Sequence, residues 1–327
     1  MLIVGVLLVN GATDAPNAIA TSIVARALSP KAAVWMAAGC NLLGVLAAVW
    51  LNATVAETVS ALADFGEDPR KASIGLCAAL AAIVLWAIGA WCFGIPTSES
   101  HALIAALSGA AIAVGGHTDA LNASAWGKVL FGLPFSLLVG ALGGWVAVWL
   151  VKSGFHTKDR RKTAQAMRRL QRLGSAAMAF AHGAQDGQKW IAVFWLALTL
   201  TNGFATHAQT IPLWAAVGTA VLMALGTAIG GKRIIRTVGT KMGASAPHES
   251  FSADVAAAGV LLGAAAFGMP VSTTHVKTAA MLGTAMGGRV RAVNWSVAAE
   301  MLWAWVLTFP GCGALGFLAA RLFFRLF

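Results

Sequence analysis

Apolar positions run along this chain in long blocks separated by short polar segments. Ten blocks can be drawn, over residues 1–28, 32–51, 73–93, 97–115, 126–151, 174–200, 211–231, 252–268, 271–287 and 297–325. Most approach the ~20 residues that carry a helix across the hydrocarbon of a bilayer. None alternates as a half-buried strand does. Glycine is abundant, at 36 residues, and recurs at spacings such as Gly140–Gly144 and Gly226–Gly230. Small residues four apart let helices approach closely in lipid. The pattern predicts an all-α polytopic membrane protein.

Composition sharpens this. Apolar residues make up 58% and charged residues 11%, against roughly a quarter charged in a soluble domain. A water-soluble enzyme is excluded, and so is a disordered chain, which would be poor in apolar residues. The net charge of +11 does not imply nucleic acid, because the basic residues collect between apolar blocks, as a membrane topology requires. Cys40, Cys77, Cys92 and Cys312 lie within apolar runs at no metal-ligand spacing, so they read as buried small residues. The first basic residue is Arg26. With no basic stretch ahead of it, block 1–28 reads as a membrane element of the mature protein, not a signal peptide.

Residues 152–173 hold eight basic residues and one acidic. They read as a cytoplasmic loop dividing a first membrane unit, 1–151, from a second, 174–327, with Lys and Arg able to touch anionic lipid. If all ten blocks cross, sixteen basic residues fall on the side of this loop and four on the other. Both termini then lie outside. Each unit has five elements, so the second enters the membrane inverted relative to the first.

The two units share motifs. Residues 10–20 read NGATDAPNAIA and residues 182–192 read HGAQDGQKWIA, aligning Asp14 with Asp186. Residues 96–101 read PTSESH and residues 270–275 read PVSTTH, aligning Pro96 with Pro270 and His101 with His275. Such a repeat, polar and interrupted by Gly or Pro, points to the substrate site of a secondary transporter. A carboxylate at the centre of a membrane helix costs at least ~2.5 kcal/mol on insertion scales, so intramembrane acids mark function. Gly and Pro beside each Asp predict unwound backbone lining a cavity. The PxSxxH segments read as helix starts, with Pro in the first turn and Ser or Thr as caps. Alone, each would be ordinary capping. Together, two helix N-termini would offer free N–H groups to an oxyanion.

His101 and His275 could carry protons or could hold the turns. Glu99 stands where the second unit has Thr273, so the two halves of the site differ. Glu300 could pair with a lysine or sit near an interface; Lys277 could lie by the second anion end or snorkel outward. A Ser–His hydrolase built on Ser98/His101 or Ser272/His275 is the reading from another class. It lacks a GxSxG elbow, and an enzyme would not need two copies.

These residues resemble the inorganic phosphate transporter family. GATDAPNA (11–18) is similar to its first signature, with Thr13 where the family has Asn. GAQDGQK (183–189) is similar to its second, with Gln185 for Asn. PVSTTH matches its hairpin motif, PTSESH is similar to it with Glu99 where the family has Thr, and GTAIGGKRIIRTVG (226–239) matches a further segment. The resemblance implies two inverted repeats with broken helices or re-entrant hairpins around one central site, and a homodimer in the bacterial cytoplasmic membrane. It implies a site built from Asp14, Asn17, Thr97, Ser98, Asp186, Gln188, Lys189, Ser272, Thr273 and Thr274. Asp14, Asp186, Lys189, His101 and His275 are the candidates for ion coupling. No cofactor or resident metal is expected. Sulfate permeases share the family.

Lys189 aligns with Asn17. An Asn in both places would suit Na⁺, whereas an ammonium supplies fixed charge and three donors. Asp14, Asp186 and hydrogenphosphate with one ammonium leave a net charge of −3, untenable in a low-dielectric cavity. The load must therefore bring positive charge, as protons or as a divalent metal–phosphate complex. This favours H⁺ over Na⁺ symport. A passive anion channel is separated from these by accumulation against a gradient.

Overall fold

The computed structural model describes residues 1–51, 54–93, 95, 97–155, 160–201, 212–229, 246–287 and 295–327. Every apolar block contains helix. The order is α1 (Leu2–Thr13), α2 (Ala15–Val24), α3 (Pro30–Leu51), α4 (Thr54–Ser60), α5 (Pro69–Phe93), α6 (Glu99–Gly115), α7 (Ala123–Phe155), α8 (Arg160–Thr201), α9 (Leu213–Ile229), α10 (Pro247–Ala266), α11 (Thr273–Met286) and α12 (Trp295–Leu326). Among the described residues there is no strand, only an isolated bridge between Ala63 and Leu121. Among the described residues six spans are long and apolar enough to cross a membrane; α6 and α9 are shorter apolar helices. Pro96, Gly230, most of the 226–239 match and the basic residues Lys232, Arg233, Arg236, Lys241, Arg289 and Arg291 lie outside the described residues.

Local chemistry sets the boundaries. Pro30, Pro69 and Pro247 open α3, α5 and α10, where a missing N–H costs nothing. Pro16 breaks the first span after Asp14, which keeps right-handed backbone and caps α2 with no side-chain bond. Gly116 ends α6 at φ 78°, its N–H returning to the Ile112 carbonyl, as a left-handed cap does.

Three local expectations change. The backbone at Asp186 is not unwound, because α8 runs unbroken from Arg160 to Thr201; Gly183 and Gly187 serve helix packing there and no Pro interrupts the ladder. The basic segment 152–173 is largely helical, α7 continuing to Phe155 and α8 beginning at Arg160. Lys162, Arg168, Arg169 and Arg172 are exposed at one end of a helix roughly 63 Å long, about twice the hydrocarbon thickness, while Met167 and Gln171 turn inward and are buried. Cys77 and Cys92 are exposed on the outer surface of α5 and not buried, since hydrocarbon accepts a thiol as readily as a core does.

The outer surface is apolar, with Trp35, Leu85, Phe131, Leu138, Trp149, Trp303, Leu307 and Leu318 all exposed. The centre holds α6 and the first turns of α11, buried on every side. Packing is reciprocal: α6 lies on α12 and α11 on α7, α5 on α12 and α10 on α7, α1 on α9 and α8 on α3.

Contacts sort the chain ends onto two faces. Arg172 donates to the Ala27 carbonyl and Lys152 to that of Gly287. At the opposite end of α7, Asn122 N–H reaches Leu62 O, Asp64 N–H reaches Ala120 O, and Arg70 bonds the terminal Phe327 carbonyl. The first face carries Arg26, Lys31, Arg168, Arg169 and Arg172. The second mixes Arg70, Lys71, Arg321 and Arg325 with Glu57, Asp64, Glu67, Asp68 and Asp119.

Glycine lets the crossing helices touch backbone to backbone. A Cβ on Gly183 would fall 2.3 Å from the Asn41 carbonyl oxygen, and one on Gly44 2.1 Å from that of Phe180. Gly144 similarly faces the Ala280 carbonyl at 2.2 Å. Gly183→Ala is expected to separate α3 from α8 and destabilise the fold by about 1–3 kcal/mol, the usual cost of overpacking. Unfolding in mixed detergent–SDS micelles reads this; a wild-type profile would show that the crossing is not tight.

Candidate functional site

The two PxSxxH segments do start helices. Ser98 caps α6 and Ser272 caps α11, each hydroxyl accepting from the backbone N–H of the histidine three residues on. The caps meet: Ser98 Oγ donates to Ser272 Oγ at 2.8 Å. Two helix N-termini therefore point at each other in the buried centre. Each carries about half a positive charge, so the arrangement demands negative charge between them.

Carboxylates supply it: Asp14 is held from the other half of the chain, and Asp186 by Lys189 of its own half, which reaches across to Ser100. Thr274, in the first turn of α11, donates to Asp14 Oδ1 at 2.8 Å, and Asn17 Nδ2 donates to Thr274 Oγ1 at 3.0 Å. Across the site, Lys189 Nζ donates to Asp186 Oδ1 at 2.7 Å, to Ser100 Oγ at 2.6 Å and to the Val271 carbonyl at 2.7 Å. Thr274 and Ser100 are equivalent positions of the two motifs. The Asn17–Thr274 and Lys189–Ser100 contacts are thus the same contact made twice, once with an amide and once with an ammonium. Unbroken helix places His182, Asp186 and Lys189 on one face of α8, at i, i+4 and i+7.

Asp14, Asn17, Ser98, Asp186, Lys189, Ser272, Thr273 and Thr274 all converge here and are all buried. Thr273 lies 3.4 Å from Asp186 Oδ2. Thr97 is only partly buried and takes part in none of these bonds; its backbone N–H goes to Ile95 O. Gln188 is held apart from the cluster: its Oε1 accepts from Val55 N–H at 3.0 Å and fixes α4 against α8. His101 and His275 meet edge to face at 4.3 Å between ring centres, with Phe309 and Trp305 on their other sides. Each Ser meets its own motif's His through that residue's backbone N–H, which is capping geometry and not a hydrolase dyad.

Ser100, His182 and Asn41 escaped the sequence reading; Glu99 and Thr13 stood there only as departures, with no partner assigned. Ser100 lay inside a quoted motif and binds Lys189. His182 Nε2 lies 3.2 Å from Asp186 Oδ2, and its Nδ1 lies 3.0 Å from Asn41 Oδ1. Glu99 accepts from Thr13 Oγ1 at 2.6 Å. Asp14, His182 and Asp186 bring one ligand atom each within 4.8 Å of one another, close enough to share a cation, although Lys189 and His182 already occupy the Asp186 oxygens.

A second buried cluster lies toward the basic face. Asp254 ion-pairs with Lys277 and accepts from Thr21 at 2.9 Å, Gln171 at 2.7 Å and Ser175 at 2.7 Å. Lys277 is wholly buried and neither snorkels nor touches the anion end. Glu300 is exposed in the second turn of α12, where the helix N-terminus favours an acid.

The sequence of residues 10–316 matches the phosphate transporter family. A "probable low-affinity inorganic phosphate transporter" of Bacillus subtilis is 37% identical over 314 residues, 95% of this chain and 92% of that protein. Proteins of the same description from Mycobacterium tuberculosis and Rhizobium meliloti are 37% and 33% identical, over 94% and 96% of this chain. A solved structure titled "The sodium-dependent phosphate transporter" has the same fold, with a TM-score of 0.91 at 21% identity, over 100% of this chain and 98% of that one. A duplicated, buried, carboxylate-lined meeting of helix N-termini belongs to transport and not to catalysis, and the chain is a member of the phosphate transporter family.

Proposed function

We propose that the protein imports inorganic phosphate across the bacterial cytoplasmic membrane by symport with protons. The observation that carries this is the placement of Lys189. Its ammonium spends three hydrogen bonds where the opposite half has Asn17, so the Asp186 side brings its own cation. The Asp14 side does not. Facing helix starts, once their Ser98–Ser272 bond opens, would present N–H groups and hydroxyls to a tetrahedral oxyanion.

In this reading residues 1–151 and 174–327 are inverted repeats related across the Ser98–Ser272 contact, and the reciprocal helix packing supports that. The face carrying Arg168, Arg169 and Arg172 is cytoplasmic, since basic loops stay inside; the termini are then periplasmic. Asp14 and Asp186 bind and couple, while His101 and His275 pack the hairpins against each other. Thr97 and Gln188 remain at the edge of the site, and the functional unit is a homodimer. The solved relative of this fold is named for sodium; the ammonium of Lys189 is the reason to expect protons here.

Uptake of 32P-phosphate into sodium-free proteoliposomes tests it. An inward acid gradient should drive accumulation, excess sulfate should not compete, and Asp14→Asn should abolish it. A sodium requirement, or block by sulfate, would overturn the coupling or the substrate. Accumulation that needs Mg²⁺ and no proton gradient would favour carriage of a metal–phosphate complex, for which Asp14, His182 and Asp186 are close enough to serve.

A further inference from the structure

We infer that Glu99, held by Thr13, carries one coupling proton beside the coupling carboxylates Asp14 and Asp186; this rests on the proton-symport reading above. Glu99 and Thr13 are two places where the chain departs from its family's pattern, and they touch. Thr13 Oγ1 lies 2.6 Å from Glu99 Oε1 and 2.8 Å from the Val9 carbonyl. A hydroxyl has one proton to give and two lone pairs to receive with. With Glu99 ionised, Thr13 can serve only one of these two acceptors. With Glu99 protonated, the acid donates to Thr13 and Thr13 donates to Val9, and both short contacts are satisfied. The other oxygen, Oε2, is buried and has no partner among the described residues, a poor place for a lasting negative charge and an open one for a proton to arrive.

The surroundings agree. Glu99 occupies the first turn of α6, where Thr273 stands in α11. The charged or titratable groups around it are Asp14 between α1 and α2, Asp186, His182 and Lys189 on α8, His101 on α6, His275 on α11 and Cys312 on α12. Only Lys189 among them is a committed cation, and it is bound to Asp186. Protonation of Glu99 keeps a third carboxylate from adding negative charge to the half of the site that has no lysine. When the site opens outward, Glu99 takes a proton from water together with phosphate; when it opens inward, the proton leaves to water and the helix dipole of α6 holds the carboxylate until return.

The experiment counts protons per phosphate. Wild type, Glu99→Gln and Glu99→Thr are reconstituted without sodium, with the membrane potential clamped. Phosphate counterflow, net accumulation and dye-reported proton entry are then measured. The variants should keep counterflow, lose one proton per phosphate and lose about tenfold in accumulation under a one-unit pH gradient, the ratio one coupled proton supports. Unchanged stoichiometry in both variants would overturn the assignment while leaving proton symport intact. Loss of counterflow in both would also overturn it, making Glu99 a group that binds phosphate or holds the fold. A wild type that ignores the pH gradient would instead remove the symport reading on which it rests.

Discussion

Lys189→Asn should cut sodium-free phosphate uptake sharply and make what remains respond to sodium. The Lys189 ammonium uses all three of its donors, on Asp186, Ser100 and the Val271 carbonyl. Removing one partner of a buried ion pair typically costs about 3–5 kcal/mol, because the surviving charge is left without compensation. At 1.4 kcal/mol per decade that is a fall of roughly 100-fold or more in the competent population. Asparagine at this place reproduces the opposite half, where Asn17 lies 3.4 Å from Asp14 Oδ1 and bonds Thr274. A hard cation such as Na⁺ could then be held by the Asp186 carboxylate, the amide oxygen, Ser100 and the Val271 carbonyl. Lys189→Met provides the contrast: it creates the same unpaired Asp186 with no new oxygen, so sodium should recover little. Uptake by both variants is measured across a sodium series at constant ionic strength. Equal sodium-free activity in wild type and Lys189→Asn would show that the ammonium does not stand in for a cation.

The sequence disclosed this site because duplication is visible without any structure. Asp14 with Asp186 and His101 with His275 recur in order, and their coming together follows from each half having to bury the same polar segments. Partner choice was less legible. That Thr274 holds Asp14 and that Ser100 accepts from Lys189 are crossings of the halves, and motif spacing within one half carries no information about them. Glu99 and Thr13 each looked like an isolated departure; only their 2.6 Å contact joins them. The unbroken course of α8 past Asp186 also escaped, since Gly183 and Gly187 signal loose backbone and close packing equally well. Asp254 gave no signal at all: a single acid in α10 has no repeat partner and no motif.

That overlooked acid carries the largest expected effect on stability. Lys277→Met should destabilise the folded protein by about 3–5 kcal/mol, the cost of stranding a buried charge. Asp254 would keep Thr21, Gln171 and Ser175 as donors but lose its counter-ion while remaining wholly buried. The four elements involved are α2, α8, α10 and α11, so the loss loosens the first half from the second on the basic side of the site. The double variant Asp254→Asn/Lys277→Met should recover most of the loss. An amide oxygen still accepts from the hydroxyls and from Gln171, and no net charge remains to be desolvated. Asp254→Asn alone should be as damaging as Lys277→Met, because it strands the ammonium instead. Wild type and the three variants are compared by tryptophan fluorescence during SDS unfolding in mixed micelles, with the pairwise coupling taken from the double-mutant cycle. A coupling near zero would mean that the pair is solvated in the folded protein. A large coupling with normal phosphate counterflow in the double variant would separate this cluster from the transport chemistry, leaving it as the electrostatic tie on which the two halves close.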